Sequence, residues 1–366
     1  MLKAGLIGCG NISGAYLRNK DIFQHLRVVK CASRRIESAR ATAEQFGLQA
    51  VTVDELLRDP EIDMILNLTT PDAHAEINLR TLEAGKHVYT EKPFAVTRED
   101  AQKVLRLASE KGLRTGCAPD TFLGGGHQTC RKLIDSGAVG TISGGCAVMA
   151  NRGPEGWHPN SGFYYLKGGG PLMDMGPYYI TALVNLLGPV KRVGGFSGRA
   201  VDLRLGRDAN LGKTYPVEVD THFAAVLEFA SGALINLTMS FDVFRLSGQM
   251  ENCIELWGLD GALRTPDPNT FNGEVRFANA ETGDGWKMPE NTFLYNDNMR
   301  LIGLADMAAG IELGRPHRCS GELAYHVTDV MWSILESTET RQTVAMESTC
   351  ARPAPLREGL APGELD

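Results

Sequence analysis

The chain predicts an α/β protein: an N-terminal Rossmann-type, doubly wound parallel sheet, then a second α/β domain with a large, mostly antiparallel, open-faced sheet. Three observations predict it. A short apolar run at residues 3–8 ends in Gly8-Cys9-Gly10-Asn11-Ile12-Ser13, a glycine turn between a strand and a helix. Strand-length and helix-length segments then alternate as far as Cys117, the grammar of a parallel sheet. Beyond residue 120 the pattern changes to longer alternating runs separated by turn residues, which suit an antiparallel sheet with one open face. The expected domains are 1–120, binding a dinucleotide, and 121–366, a second α/β domain, with the last helices able to pack back on the first.

Taken in order, residues 3–8 are the first strand, and the glycine turn opens a helix through Arg18. Residues 27–32 form a second strand and 36–46 a helix stopped by Gly47, because glycine readily takes the left-handed conformation that ends a helix. A short helix at 54–58 precedes a third strand at 63–68, and a helix at 72–84 ends at Gly85. His87-Val88-Tyr89-Thr90-Glu91-Lys92-Pro93 reads as a strand that stops at proline, which has no N–H for the ladder. Thr97 and Asp100 form a T-x-x-D cap for a helix through Lys111, closed by Gly112, and a strand follows at 113–117. In the second half, helices are expected at 126–136 and 172–187. Strands are expected at 141–150, 190–197, 217–230, 233–243, 251–257 and 273–278. Two more helices, near 298–313 and 320–338, lead to a Pro-, Gly- and charge-rich tail from Arg352 that reads as loose.

Composition narrows the function. The 366 residues are 43% hydrophobic and 22% charged, with a formal net charge of −7, so the chain is an ordinary globular protein with charges of both signs interspersed. That balance argues against nucleic acid as a partner. The N-terminal apolar run is too short for a signal-peptide core, and no stretch approaches the ~20 apolar residues of a membrane span; a cytoplasmic protein is expected. Eight cysteines stand singly, without a C-x-x-C pair, so neither structural zinc nor a disulfide framework is expected, and no metal.

The candidate chemistry lies at the carboxyl ends of the strands, where open α/β sheets bind ligands. Gly8 permits the tight turn, Gly10 lets backbone approach a pyrophosphate, and Asn11 and Ile12 lead into the helix that would receive it. After the second strand comes Ser33-Arg34-Arg35, where an NAD-specific domain usually offers an acidic residue to the ribose. A small hydroxyl and arginines suit a 2′-phosphate, so NADP(H) is favoured, with NAD(H) possible. Thr69 and Thr70 end the third strand within plausible reach of the cofactor. His74 follows, either as a cofactor contact or as a satisfied histidine at a helix start. Glu91 and Lys92 close the next strand as candidate cofactor contacts, and Asp120 follows another on the ligand edge as a candidate substrate contact. In the second domain, Gly168-Gly169-Gly170-Pro171 opens a helix on which Asp174 and Tyr178, four apart, share one face. Such a pair either ties the helix to the core or moves a proton, with Lys92 lowering the phenol's pKa. Trp157, His158, Tyr165 and Tyr179 supply aromatic and polar faces suited to a sugar ring or to ordinary packing. His326, inside the last helix, reads as a core or interface histidine.

Together, Gly8-Cys9-Gly10-Asn11-Ile12-Ser13, Glu91-Lys92-Pro93 and the run from Gly168 through Asp174 to Tyr178 make the chain resemble the Gfo/Idh/MocA oxidoreductases over nearly its whole length. The resemblance implies hydride transfer between nicotinamide and a ring carbon of a sugar, polyol or related compound. It further implies dimers or tetramers formed through the open sheet. Lys92 matches the family's catalytic lysine and Asp174 its acidic partner. Many members have histidine where this chain has Tyr178, whereas glucose–fructose oxidoreductase and some ketosugar reductases are similar to it in using tyrosine; His158 and Tyr179 are the alternative proton carriers. Two other readings stay open: a redox-neutral, NAD-dependent glycosidase of the same family, and a non-catalytic nucleotide sensor.

Overall fold

The structure, a computed structural model, describes residues 1–244, 251–283 and 285–366. The chain forms two units. The first takes Met1–Gln128, Thr292–Thr328 and Pro353–Asp366, and the second Thr129–Asn291 and Asp329–Arg352.

The first unit alternates β1 (Leu2–Ile7), α1 (Ser13–Leu17), β2 (Leu26–Ala32), α2 (Ile36–Phe46), β3 (Gln49–Val51) and α3 (Val53–Arg58). It continues through β4 (Met64–Asn67), α4 (Pro71–Glu83), β5 (His87–Thr90), α5 (Arg98–Lys111) and β6 (Thr115–Cys117). All strands pair in parallel, in the order β3-β2-β1-β4-β5-β6. The order reverses between β1 and β4, the switch point that opens a crevice at the carboxyl edge. Strands buried on both faces need continuous apolar runs, and β4 is buried along its whole length. Ile7, Ala32, Ile62, Ile65 and Ile77 pack there with Leu56 and Leu57 of α3. The expected helix stops hold: Gly47 and Gly112 both take left-handed backbone. Thr97 accepts the Asp100 N–H at 3.1 Å, while a fully reciprocal capping box joins Thr52 and Glu55 on α3. The edge strand β3 was not anticipated, because three residues are too few to show a period of two.

A helix α6 (Gly125–Asp135) leads to β7 (Ile142–Ala150), α7 (Gly170–Leu187), β8 (Val190–Gly198) and the small pair β9 (Leu203–Leu205) and β10 (Thr214–Pro216). Then come β11 (His222–Phe229), β12 (Leu234–Ser240), β13 (Cys253–Gly258), β14 (Gly261–Arg264) and β15 (Arg276–Asn279). The chain ends with α8 (Ile302–Glu312), α9 (Gly321–Thr340) and β16 (Val344–Ala345). The second unit's sheet runs β15-β14-β13-β7-β12-β11-β8-β16. Only β7 and β12 run parallel within it; the other pairs are antiparallel. β11 alternates strictly between exposed and buried residues, so one face carries Phe223, Ala225 and Leu227 into the core. Phe196, Val226, Leu234 and Trp257 stay exposed.

The tail is not loose. Leu356, Leu360 and Leu365 are buried in the first unit, and Arg318 donates to both the Asp366 carbonyl and its carboxylate at 2.9 Å. The leucines' spacing and a distant arginine set this docking, and Pro/Gly content does not report on either. Among the described residues, no helix is long and apolar enough to cross a membrane.

Candidate active site

The glycine turn is shaped by steric demand. Gly8 has φ +108°, and a Cβ there would overlap the Leu68 carbonyl and come within 2.7 Å of the Thr69 nitrogen. Only glycine fits a left-handed residue pressed against the end of β4. Gly10 is the opposite case: nothing lies within 4 Å of where its Cβ would sit, so bare backbone faces open space beside exposed Asn11 and half-buried Ile12. A pyrophosphate fits that bare stretch. Ser13 braces the turn, its hydroxyl donating to the Gly10 carbonyl at 2.7 Å. Cys9 lies within it, and its thiol is lowered to about 7 by a hydrogen bond with Cys31, against the effect of burial.

At the end of β2, Ser33 is half-buried and Arg34 exposed. At the end of β4, the Thr69 hydroxyl donates to Asn67 Oδ1 at 2.6 Å, and Asn67 in turn donates to Asn78 at 2.8 Å. The Thr70 hydroxyl holds the Asp72 carboxyl below its usual range, and the charge of Arg34 acts in the same direction. His74 is corrected from a cofactor contact to a brace. Its Nδ1 meets the Pro93 carbonyl at 2.7 Å and its Nε2 the Thr69 carbonyl at 3.0 Å. Both nitrogens are spent on backbone, and burial pushes the imidazole's pKa down.

Lys92, after β5, is half-buried, and its peptide to Pro93 is cis. Its N–H donates to Glu91 Oε2 at 2.8 Å. Glu91, expected among the cofactor contacts, turns inward instead: it is 8% exposed, and its Oε1 accepts the Tyr16 hydroxyl at 2.8 Å and Arg300 Nη1 at 3.4 Å. Asp120, expected to touch substrate, is 0% exposed. Its Oδ2 accepts the N–H groups of Leu301 and Gly303 at 3.2 and 3.1 Å, donors that a helix start leaves without intrahelical partners. Burial raises its pKa to about 6; Arg300 opposes that rise and Glu91 adds to it.

In the second unit, Pro171 stands in the first turn of α7, with Asp174 half-buried and Tyr178 buried one turn apart. Tyr179 and Tyr165 are corrected from substrate contacts to packing groups, since both are 0% exposed. The Tyr179 hydroxyl donates to Asp267 at 3.0 Å, and the Tyr165 ring lies under the Arg204 guanidinium at 5.4 Å. The solvent-facing aromatics are Trp157 and Phe163, 69% and 50% exposed. His158 meets both edge-on, with ring centroids 5.4 and 5.3 Å away. Beneath this loop, buried Glu155 pairs with Arg204 and Arg207 at 3.4 Å each. Tyr16, Arg300, Glu155 and Arg204 escaped sequence reading because their partners lie far along the chain; buried charge between turn residues was the only local signal. His326 is fully buried.

A parallel sheet with a bare glycine turn at its switch point and a lysine at the same carboxyl edge, two strands away, defines a dinucleotide-binding protein of the Rossmann class. Residues 2–118 match the model described as "Oxidoreductase family, NAD-binding Rossmann fold", and 127–264 match that of the GFO/IDH/MocA C-terminal domain. The chain belongs to the Gfo/Idh/MocA oxidoreductase family. A Streptomyces violaceoruber protein named dTDP-3,4-didehydro-2,6-dideoxy-alpha-D-glucose 3-reductase is 34% identical over 221 residues, which is 58% of this chain and 63% of that one. The match to an Ensifer adhaerens 1,5-anhydro-D-fructose reductase, 33% identical, covers 38% of this chain and 43% of that protein. The chain thus matches less than two thirds of the length of either. A Bacillus subtilis scyllo-inositol 2-dehydrogenase (NADP(+)) is 26% identical over 94% of this chain and 96% of its own. Among solved structures, an NAD-binding oxidoreductase from Klebsiella pneumoniae superposes with a TM-score of 0.82 at 21% identity, over 94% of this chain and 98% of that one. Levoglucosan dehydrogenase in complex with NADH and L-sorbose superposes at 0.80 and 20%, over 95% and 99%. At those identities the superpositions speak for the fold alone.

Proposed function

We propose that this chain is an NAD(P)-dependent dehydrogenase or reductase acting on a ring carbon of a sugar, polyol or sugar derivative. The observation that carries the reading is Lys92, pinned at the carboxyl edge of the same sheet whose first strand ends in a glycine turn that leaves Gly10 bare. Relatives named as sugar reductases and an inositol dehydrogenase support the substrate class. Gly8, Gly10, Asn11 and Ile12 would hold the pyrophosphate, with Thr69 and Thr70 beside the nicotinamide ribose. Ser33 and exposed Arg34 would take the adenosine ribose and favour a 2′-phosphate, hence NADP(H). When bound, the nicotinamide supplies or accepts the hydride. In oxidation, Tyr178 as phenolate takes the substrate hydroxyl proton; in reduction, the phenol returns it to the carbonyl oxygen. Lys92 would supply positive charge to the reaction, and Asp174, one helical turn from Tyr178, would orient the phenol. Trp157 and His158 would face the sugar. The open sheet face around Phe196, Val226 and Leu234 would pair with a second copy, giving a dimer or tetramer, and eight free thiols suit a reducing cytoplasm.

The test follows nicotinamide absorbance across aldoses, polyols, glycosides and ketosugars with both cofactors, for wild type and Lys92→Ala. Turnover is expected with NADP(H) preferred, falling about a thousandfold in the variant while nucleotide affinity holds. Undiminished turnover in Lys92→Ala overturns the assignment. Aglycone release without added cofactor would replace it with the redox-neutral reaction.

A further inference from the structure

We propose that Tyr16 and Arg300 are positioning residues for Lys92, acting through the Glu91 carboxylate they share. The inference rests on the reading of Lys92 as the catalytic cation. Two segments distant in sequence converge on this one carboxylate, which also holds its neighbour Lys92. Tyr16, in α1 and fully buried, donates to Oε1 at 2.8 Å, and Arg300, just before α8, reaches the same oxygen at 3.4 Å. Oε2 accepts the N–H of Lys92 itself at 2.8 Å. With both oxygens engaged, the Lys92 backbone cannot turn without breaking its bond to this carboxylate. Charged hydrogen bonds of this kind hold geometry more firmly than neutral ones.

Arg300 is held in its turn. Leu301, the next residue, is fully buried at φ +99°. A bulky side chain adopts this backbone only where its surroundings over-determine it, and such strain clusters at functional sites. Asp120 supplies that hold by accepting the Leu301 and Gly303 N–H groups. Its other oxygen, Oδ1, is buried without a hydrogen bond, so the carboxylate has not been spent on local packing alone.

The groups around Glu91 are Tyr16 from α1, His74 from α4, Cys117 from β6, Asp120 beyond it and Arg300. Arg300 is the cation of this set at neutral pH. Removing it takes a positive charge from the surroundings of Lys92, which favours the ammonium and moves any rate limb set by that lysine to higher pH.

The experiment compares Tyr16→Phe, Arg300→Met, Arg300→Lys and Lys92→Ala in full-length protein. It measures kcat, KM, pH–rate profiles and NADPH affinity by fluorescence titration. Tyr16→Phe is expected to lower kcat about tenfold with NADPH affinity held within about twofold, since a small misplacement of a catalytic group costs rate rather than binding. Arg300→Met is expected to lower kcat further and raise the alkaline limb by about one pH unit, and Arg300→Lys to return the limb. Unchanged kcat in Tyr16→Phe and Arg300→Met, with Lys92→Ala inactive, overturns this inference and leaves the reading of Lys92 standing. So does a parallel loss of kcat and nucleotide affinity with an unmoved limb. An active Lys92→Ala overturns the reading itself. Should Arg300→Met fail to fold, Tyr16→Phe, which removes one oxygen from a buried ring, decides the matter alone.

Discussion

The two units solve the problem of holding a functional group differently. At the carboxyl edge of the first unit, backbone does most of the holding: Gly8 is wedged against β4, both nitrogens of His74 rest on carbonyls, and the Lys92 N–H is fastened to Glu91. In the second unit, side chains from separate segments hold each other, as Glu155 does with Arg204 and Arg207, and Tyr179 with Asp267. A backbone-built site tolerates few substitutions but can be read locally. A site built from side-chain clusters depends on segments that only the packed chain brings together.

The sharpest way to break the comparison is Gly8→Ala. A Cβ at φ +108° that overlaps the Leu68 carbonyl should cost about 2–4 kcal/mol of stability and remove measurable NADPH binding. Denaturant unfolding and fluorescence titration would check both. A variant of near wild-type stability would mean the turn is not backbone-determined.

Asp120→Asn sharpens the comparison through pH. The folded-state pKa of Asp120 is raised from 3.8 to about 6, so between those values the folded protein binds the proton more tightly than the unfolded chain. Its contribution to stability is therefore greatest in acid and falls as pH rises from about 4 to about 6, by about 3 kcal/mol in all. Asparagine keeps an acceptor for Leu301 and Gly303 without the charge. Relative to wild type, the variant should gain stability by up to that amount between pH 4 and 7 in matched urea titrations. A flat difference would show that burial does not perturb this carboxyl.

The smallest effect is expected on the open sheet. Val226→Glu adds a charge to an exposed position on β11 and should alter monomer stability by no more than about 0.5 kcal/mol. Sedimentation should nevertheless show a smaller assembly. An unchanged mass would remove this face from the oligomer proposal.

How much could be read in advance followed the same division. The strands of the first unit, the stops at Gly47 and Gly112, and the E-K-P turn were visible because glycine, proline and apolar periodicity act within a few residues. Residue types were also right for Asp120, His74, Tyr165 and Tyr179, yet their surroundings were not. Asp120, Tyr165 and Tyr179 read as ligand contacts and His74 as either a cofactor contact or a satisfied histidine; all four are buried and engaged by groups within their own unit. Position after a strand says where a side chain begins, whereas burial depends on which segment packs over it. The tail misled for the same reason: Glu364 and Asp366 are held only because Tyr295 and Arg318 stand where they can donate to them.

The amino-acid sequence by itself determined the doubly wound sheet, the turn at Gly8 and Gly10, and the placing of Lys92 at a strand's carboxyl end. Local backbone sterics and periodicity suffice for these. Only the tertiary structure decided that Glu91 faces inward, that Tyr16 and Arg300, 75 and 209 residues away, close on it, and that Asp120 caps a helix start instead of meeting a ligand. Those contacts join segments with no local signal in common. They form because a buried carboxylate must find its hydrogen bonds wherever the packed chain brings donors.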